Sequence, residues 1–162
     1  MRKEILNASE VYREILDKYE LKTLKEQLEV LLKNIDDFKL KILFVGGFSA
    51  GKSALINAVL GCELLEENQM PETAIASEIF FDTEEYIEGI SEDKVDRYSV
   101  EESDTIDNSK YDYLIWHLTS DNLAKMKDIV LVDMPGFNSG ISEHNKAILR
   151  YAGKGNAYIL VI

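Results

Sequence analysis

The sequence has 162 residues, 46% of them hydrophobic and 9% aromatic, with only two prolines. This composition suits one soluble domain with a core of its own and excludes long disordered tracts; the length is short for a whole nucleotide-hydrolysing domain with flanking helices. Thirty acidic against eighteen basic residues give a net charge of −12, the wrong sign for holding a nucleic-acid backbone or an anionic membrane by bulk electrostatics, so no nucleic-acid partner is expected.

The single cysteine, Cys62, cannot form an internal disulfide, and no second Cys or nearby His stands at metal-ligand spacing. A reducing, cytoplasmic compartment is the expectation. The opening MRKEILNASE lacks a signal-peptide core, and no run approaches the roughly 18 apolar residues of a membrane span.

Along residues 3–36, apolar side chains recur at helical spacing: Ile5, Ala8, Tyr12, Ile15 and Tyr19, then Leu21, Leu24, Leu28, Leu31 and Ile35. Two amphipathic helices are predicted, with Thr23 and Glu26 as a capping box that places the break near Leu21 to Thr23. Their stripe either packs on its own domain or stays exposed for a partner.

The run LKILFV, residues 40–45, is apolar almost throughout, as in a strand buried on both faces of a mostly parallel sheet, with helices covering each face. A glycine-rich turn, Gly46 to Gly51, leads into a predicted helix over Lys52 to Leu60 that Gly61 stops. Further strands are predicted at residues 75–81, 94–100, 111–118, 129–133 and 157–162, and a helix at 143–151. Residues 82–109 carry eleven Asp or Glu against only Lys94 and Arg97, which reads as a solvated surface excursion, most flexible around residues 101–110.

GGFSAGKS, Gly46 to Ser53, fits G-x-x-x-x-G-K-[ST] between a buried strand and a helix. Glycines let the backbone wrap a polyphosphate, so that N–H groups and the positive end of the helix face its oxygens. The residues expected to line the nucleotide are Gly46, Gly47, Phe48, Ser49, Ala50, Gly51, Lys52, Ser53 and Ala54. Lys52 reaches the β and γ phosphates, and the Ser53 hydroxyl is a ligand of Mg²⁺.

IVLVDMPG, residues 129–136, is a second apolar strand that ends in Asp133, a carboxylate suited to water-mediated contact with the same Mg²⁺. Gly136 offers an unobstructed N–H to the γ phosphate. Between the two motifs, MPETAIASEI carries Thr73, which reads either as a plain loop residue or as a second hydroxyl for Mg²⁺ on a mobile switch. Trp116, with Tyr111, Tyr113 and Ile115 around it, reads as core rather than a base-stacking surface. His117 and His144 have no partner nearby in sequence for catalysis or metal binding.

GGFSAGKSALINAVLG, PETAIASEI and LVDMPGFNSG resemble the successive motifs of dynamin-type large GTPases, especially bacterial ones, over about residues 40–162. The resemblance implies an α/β P-loop three-layer fold over residues 39–162, preceded by bundle or neck helices over 1–38. It implies GTP and GDP as ligands, Mg²⁺ as cofactor, and Lys52, Ser49 and Thr73 as catalytic residues. Ser49 would help hold a monovalent cation, K⁺ or Na⁺, in place of an arginine finger; Arg2, Arg13, Arg97 and Arg150 all lie outside the motifs. Phe48 stands where eukaryotic dynamins carry a glutamine that positions water.

A nucleotide-dependent homodimer and a peripheral role at a membrane follow from the same resemblance. The family's base-reading Asn/Thr-Lys-x-Asp does not occur up to Ile162, so the chain is expected to be a C-terminally truncated front part of the domain, with weak affinity and little turnover. The alternatives are another P-loop ATPase or kinase, or a nucleotide-binding adaptor without significant hydrolysis.

Overall fold

The helical spacing of residues 3–36 is realised, in the computed structural model of the protein, as α1 (Arg2–Lys18) and α2 (Lys22–Asp37). The structure describes residues 2–65, 75–137, 151 and 153–162. The helix break falls where expected, but not for the expected reason. Leu21 is the N-cap of α2 and no side chain caps it, so the Thr23–Glu26 box is not formed. What sets the break is the way α1 ends. Glu20 N–H donates to the Asp17 carbonyl at 3.1 Å and Leu21 N–H to that of Leu16 at 2.9 Å, with Glu20 in the left-handed region at φ 53°. This is the Schellman pattern with a glutamate where glycine is usual.

Arg13 pairs with Glu29 and Lys25 with Asp17 across the two helices, in solvent and hence weakly. Ile5, Tyr12, Ile15, Tyr19, Leu21, Leu24 and Leu31 stay exposed. Leu28 and Ile35 of the same stripe are half-buried. No helix among the described residues is long and apolar enough to cross a membrane.

Residues up to Phe38 and from Lys39 onward form two compact units. The second is built on a seven-stranded sheet. Its strands are β1 (Leu40–Gly46), β2 (Ala76–Phe81), β3 (Tyr86–Ile90), β4 (Val95–Tyr98), β5 (Tyr113–Leu118), β6 (Ile129–Asp133) and β7 (Ala157–Val161). Their spatial order is β4-β3-β5-β2-β6-β1-β7. Pairing is parallel through β6–β1–β7 and between β2 and β5, and antiparallel for β2–β6, β3–β5 and β3–β4. The α/β class is as expected.

This unit includes α3 (Lys52–Leu60) and the short α4 (Asp121–Ala124). Gly61, at φ 76°, stops α3 and donates its N–H to the Asn57 carbonyl. Successive side chains of a strand point to opposite faces, and the core divides accordingly. One face of the sheet packs Phe44, Ile79, Trp116 and Leu131 with Ile56 and Leu60 of α3 and Leu123 of α4. The other packs Leu43, Ala76, Val130 and Val132 with Met134 and Tyr151. Trp116 is core, as read. Of the predicted helix over 143–151 only Tyr151 lies within the described residues, and it is helical.

The acidic stretch 82–109 is not an excursion. It contains β3 and β4, which extend the sheet at one edge, and the strand β3 has no counterpart in the sequence reading. Nor are residues 101–110 shapeless: Val100–Thr105 and Asn108–Lys110 are short 3₁₀ turns, the first closed by a Ser99–Glu102 capping box. The charges are tolerated because an edge strand keeps one side in water. Its attachment is specific. Glu85 accepts the Thr119 hydroxyl at 2.6 Å and the Thr119 N–H at 3.1 Å. His117 does have a partner, brought from 35 positions away: its Nδ1 lies 2.9 Å from an Asp82 oxygen, and Tyr86 stacks on the ring at 3.9 Å.

Replacing Glu20 by Gly should raise stability by about 1 kcal/mol, since glycine escapes the left-handed penalty; a far-UV denaturant melt measures it. Thr119→Val tests the second unit. Thr119 holds the Glu85 carboxyl below its ordinary range, chiefly through the hydroxyl hydrogen bond. A depressed carboxylate stabilises the fold above its unfolded pKa and loses that contribution as pH falls through the folded value. The variant should therefore be weaker by about 0.5 kcal/mol at neutral pH, with the gap to wild type closing below about pH 4.

Candidate phosphate-binding site

The site forms where three strands end or begin at one level. β1 and β6 run in parallel register from Leu40↔Ile129 to Phe44↔Asp133, so the carboxylate that ends β6 sits beside the turn that leaves β1. β2 enters from the opposite direction, with Ser77 opposite Asp133, which carries the chain preceding Ala76 to this same edge. Thr73 itself lies outside the described residues, as do His144 and Arg150.

Gly51 is the N-cap of α3 at φ 87°, a conformation that glycine adopts without a steric penalty, and Ser49 is also left-handed at φ 57°. These two reversals wind residues 47–51 over the start of α3. Its unsatisfied N–H groups and positive dipole end then face the turn. Phe48 and Ser49 are exposed at the apex, while Ala50 and Ala54 are half-buried.

Three of the side chains named from sequence converge. Lys52 is buried, and its Nζ donates to the Gly47 carbonyl at 2.9 Å. The Ser53 hydroxyl donates to Asp133 Oδ2 at 2.7 Å, across 80 positions of sequence. Asp133 Oδ1 is shielded from solvent and has no hydrogen-bond partner among the described residues. Burial pulls the Lys52 ammonium down and the Asp133 carboxyl up, and each effect is opposed by the charge of the other group. Such paired, desolvated charges mark a place where an ion or ionic ligand completes the balance.

The Met134–Phe137 turn lies directly against the phosphate loop. Phe137 N–H donates to the Gly46 carbonyl at 3.0 Å, and Phe48 N–H donates to the Phe137 carbonyl at 3.2 Å. Gly136 packs so closely that an added Cβ would come within 2.7 Å of Phe48 Cα. Phe137 is not singled out by any sequence signal, because its part is played by the main chain. Gly136, named from sequence, is thus in contact with the loop.

Several known proteins are similar to this chain. The dynamin-family profile matches residues 42–162. An uncharacterized Caldicellulosiruptor protein from the xynA 3′ region is 26% identical over 98% of this chain, which spans 41% of its length. The mitofusin FZO1 of Saccharomyces cerevisiae is 30% identical over 68% of this chain, spanning 17% of its length. Two chains of an oligomerised bacterial dynamin pair, described as sensing and tethering membranes over long range, superpose with TM-scores of 0.57 and 0.54 at 21% identity. They cover 85% of this chain, and this chain covers 22% and 23% of theirs. With a profile match over most of its length and this phosphate loop, the chain belongs to the dynamin family.

Proposed function

We propose that this chain is the phosphate-handling part of a GTPase that binds GTP with Mg²⁺ and, in the whole protein, hydrolyses it by attack of water on the γ phosphate. The observation that carries the reading is the convergence of Lys52, Ser53 and the shielded Asp133 Oδ1, which has no partner among the described residues, at the N-terminus of α3. That donor set of hydroxyl and carboxylate oxygens fits Mg²⁺, with Ser53 as a direct ligand, Asp133 through water and Thr73 from the loop before β2. Bound there, Mg²⁺ would neutralise phosphate charge as it develops.

The chain's own residues do the rest. Lys52, already desolvated, offers its full charge to the phosphate oxygens once the Gly47 carbonyl is exchanged for them. The loop amides and the α3 terminus orient the polyphosphate, so that catalysis is positioning and electrostatics. We assign Ser49, at the left-handed apex, to a monovalent cation. Family membership supports guanine as the base and, for the whole protein, action with a second copy at a membrane; the bacterial dynamin pair that tethers membranes is the structural precedent.

Lys52→Ala should weaken GTP binding in Mg²⁺ by about 10- to 100-fold in calorimetry, the loss of one charge-assisted contact. Binding or phosphate release left unchanged by the substitution, or no preference for GTP over ATP in the whole protein, overturns the reading. Ser53→Ala tests the same cluster without ligand. It strips Asp133 of its hydrogen-bond partner, so the protein should lose about 1–3 kcal/mol in a urea melt at neutral pH. Because burial raises the Asp133 pKa, the ionised form is the costly one. The deficit should therefore shrink as pH falls and the carboxyl protonates.

A further inference from the structure

The turn after β6 does more than present a glycine to a ligand. The β1–β6 ladder runs in constant register up to Phe44↔Asp133, and pairing resumes at the parallel bridge Gly47↔Phe137. From Phe44 to Gly47 is three steps, and from Asp133 to Phe137 is four, so one extra residue is accommodated on the β6 side. The Met134–Gly136 turn is thus a bulge in an otherwise continuous ladder. Pro135, which has no N–H to give, is tolerated in such a place.

Two main-chain hydrogen bonds close the ladder beyond the bulge, Phe137 N–H to the Gly46 carbonyl and Phe48 N–H to the Phe137 carbonyl. Inside that closure Gly136 lies against the loop backbone. A Cβ there would meet Phe48 Cα at 2.7 Å, Phe48 N at 2.8 Å and the Gly47 carbonyl carbon at 3.2 Å, all main-chain atoms with no flexible end to swing away.

We propose that the Met134–Phe137 turn is a main-chain brace that holds the phosphate loop at its working height. Gly136 and Phe137 are then positioning residues that act through the backbone of Gly46 to Phe48. The Phe48 N–H is a structural donor and is not offered to phosphate. This inference rests on the reading of residues 46–53 as a phosphate loop. It differs from a simple γ-phosphate sensor in one respect: a brace supports the whole cradle, which holds the α and β phosphates too. Disturbing it must harm diphosphate and triphosphate binding alike.

The experiment pairs calorimetry of GDP and GTP, both with Mg²⁺, with amide hydrogen exchange at Phe48 followed by NMR. In the wild type the Phe48 amide should exchange slowly. Gly136→Ala drives the two backbones apart, and Phe137→Pro deletes the N–H bonded to Gly46. Each should weaken GDP and GTP by a common factor of about tenfold or more and speed Phe48 exchange by about tenfold or more. Phe137→Ala keeps the main chain and should retain both within about threefold. A loss confined to GTP, or a Phe48 amide that exchanges freely in the wild type or is unchanged in Gly136→Ala and Phe137→Pro, overturns the brace. Failure of the wild type to bind either nucleotide would sink the phosphate reading alone, because the exchange measurements judge the brace without a ligand.

Discussion

The parallel pairing of β1 with β6 is the constraint on which the site depends. Parallel strands point the same way, so their C-terminal ends lie at one edge of the sheet, and whatever each strand carries at its end is delivered there. Here one end delivers Gly46 and the turn into α3, and the other delivers Asp133. The Ser53–Asp133 hydrogen bond, between residues 80 apart in sequence, is a by-product of that register. A slip of one residue would turn Asp133 to the opposite face and Val132 into its place. The apolar character of LKILFV and IVLV prevents the slip, because Leu43, Val130 and Val132 fill one core and Phe44 and Leu131 the other.

Electrostatics then explains why the cluster is poised rather than merely stable. Removing an ammonium and a carboxylate from water costs more than their mutual attraction returns unless the remaining valences are satisfied. Lys52 finds a carbonyl and Asp133 a hydroxyl, but among the described residues one carboxylate oxygen is left without a partner. A protein that only needed stability would do better with apolar residues of similar size. The opposed displacements of the two pKa values, downward for Lys52 and upward for Asp133, express the same residual cost. Ionic ligands with both signs of charge, such as a polyphosphate and a divalent cation, relieve it.

How much of this was legible in the sequence follows from the range of each interaction. The phosphate loop, its helix and the stop at Gly61 were legible because each depends on neighbours within a few residues, and Asp133 because it ends an unmistakable apolar strand. The strand Tyr86–Ile90 was not, since Glu88 and Gly89 interrupt its pattern inside an acidic run; what makes it a strand is pairing with Tyr113–Leu118. The turn between α1 and α2 was misassigned for a related reason. Thr23 and Glu26 satisfy a local pattern, but the backbone had already reversed at Glu20. His117 needed Asp82, which only the sheet brings near, and Phe137 acts through atoms that every residue possesses.

That last point bears on what the letters of the phosphate-loop motif mean. Gly46 and Gly51 are both glycine, yet for different reasons. Gly51 adopts φ 87°, a demand of the loop's own path. Gly46 has an ordinary backbone, but a Cβ on it would lie 2.3 Å from the Val161 carbonyl oxygen of β7. The first glycine is therefore required by the neighbouring strand. Gly136 is required by Phe48, whereas a Cβ on Gly47, as on Gly51, would meet nothing within 4 Å among the described residues. A pattern usually read as a description of phosphate contact is here largely a description of how closely three strand ends are packed.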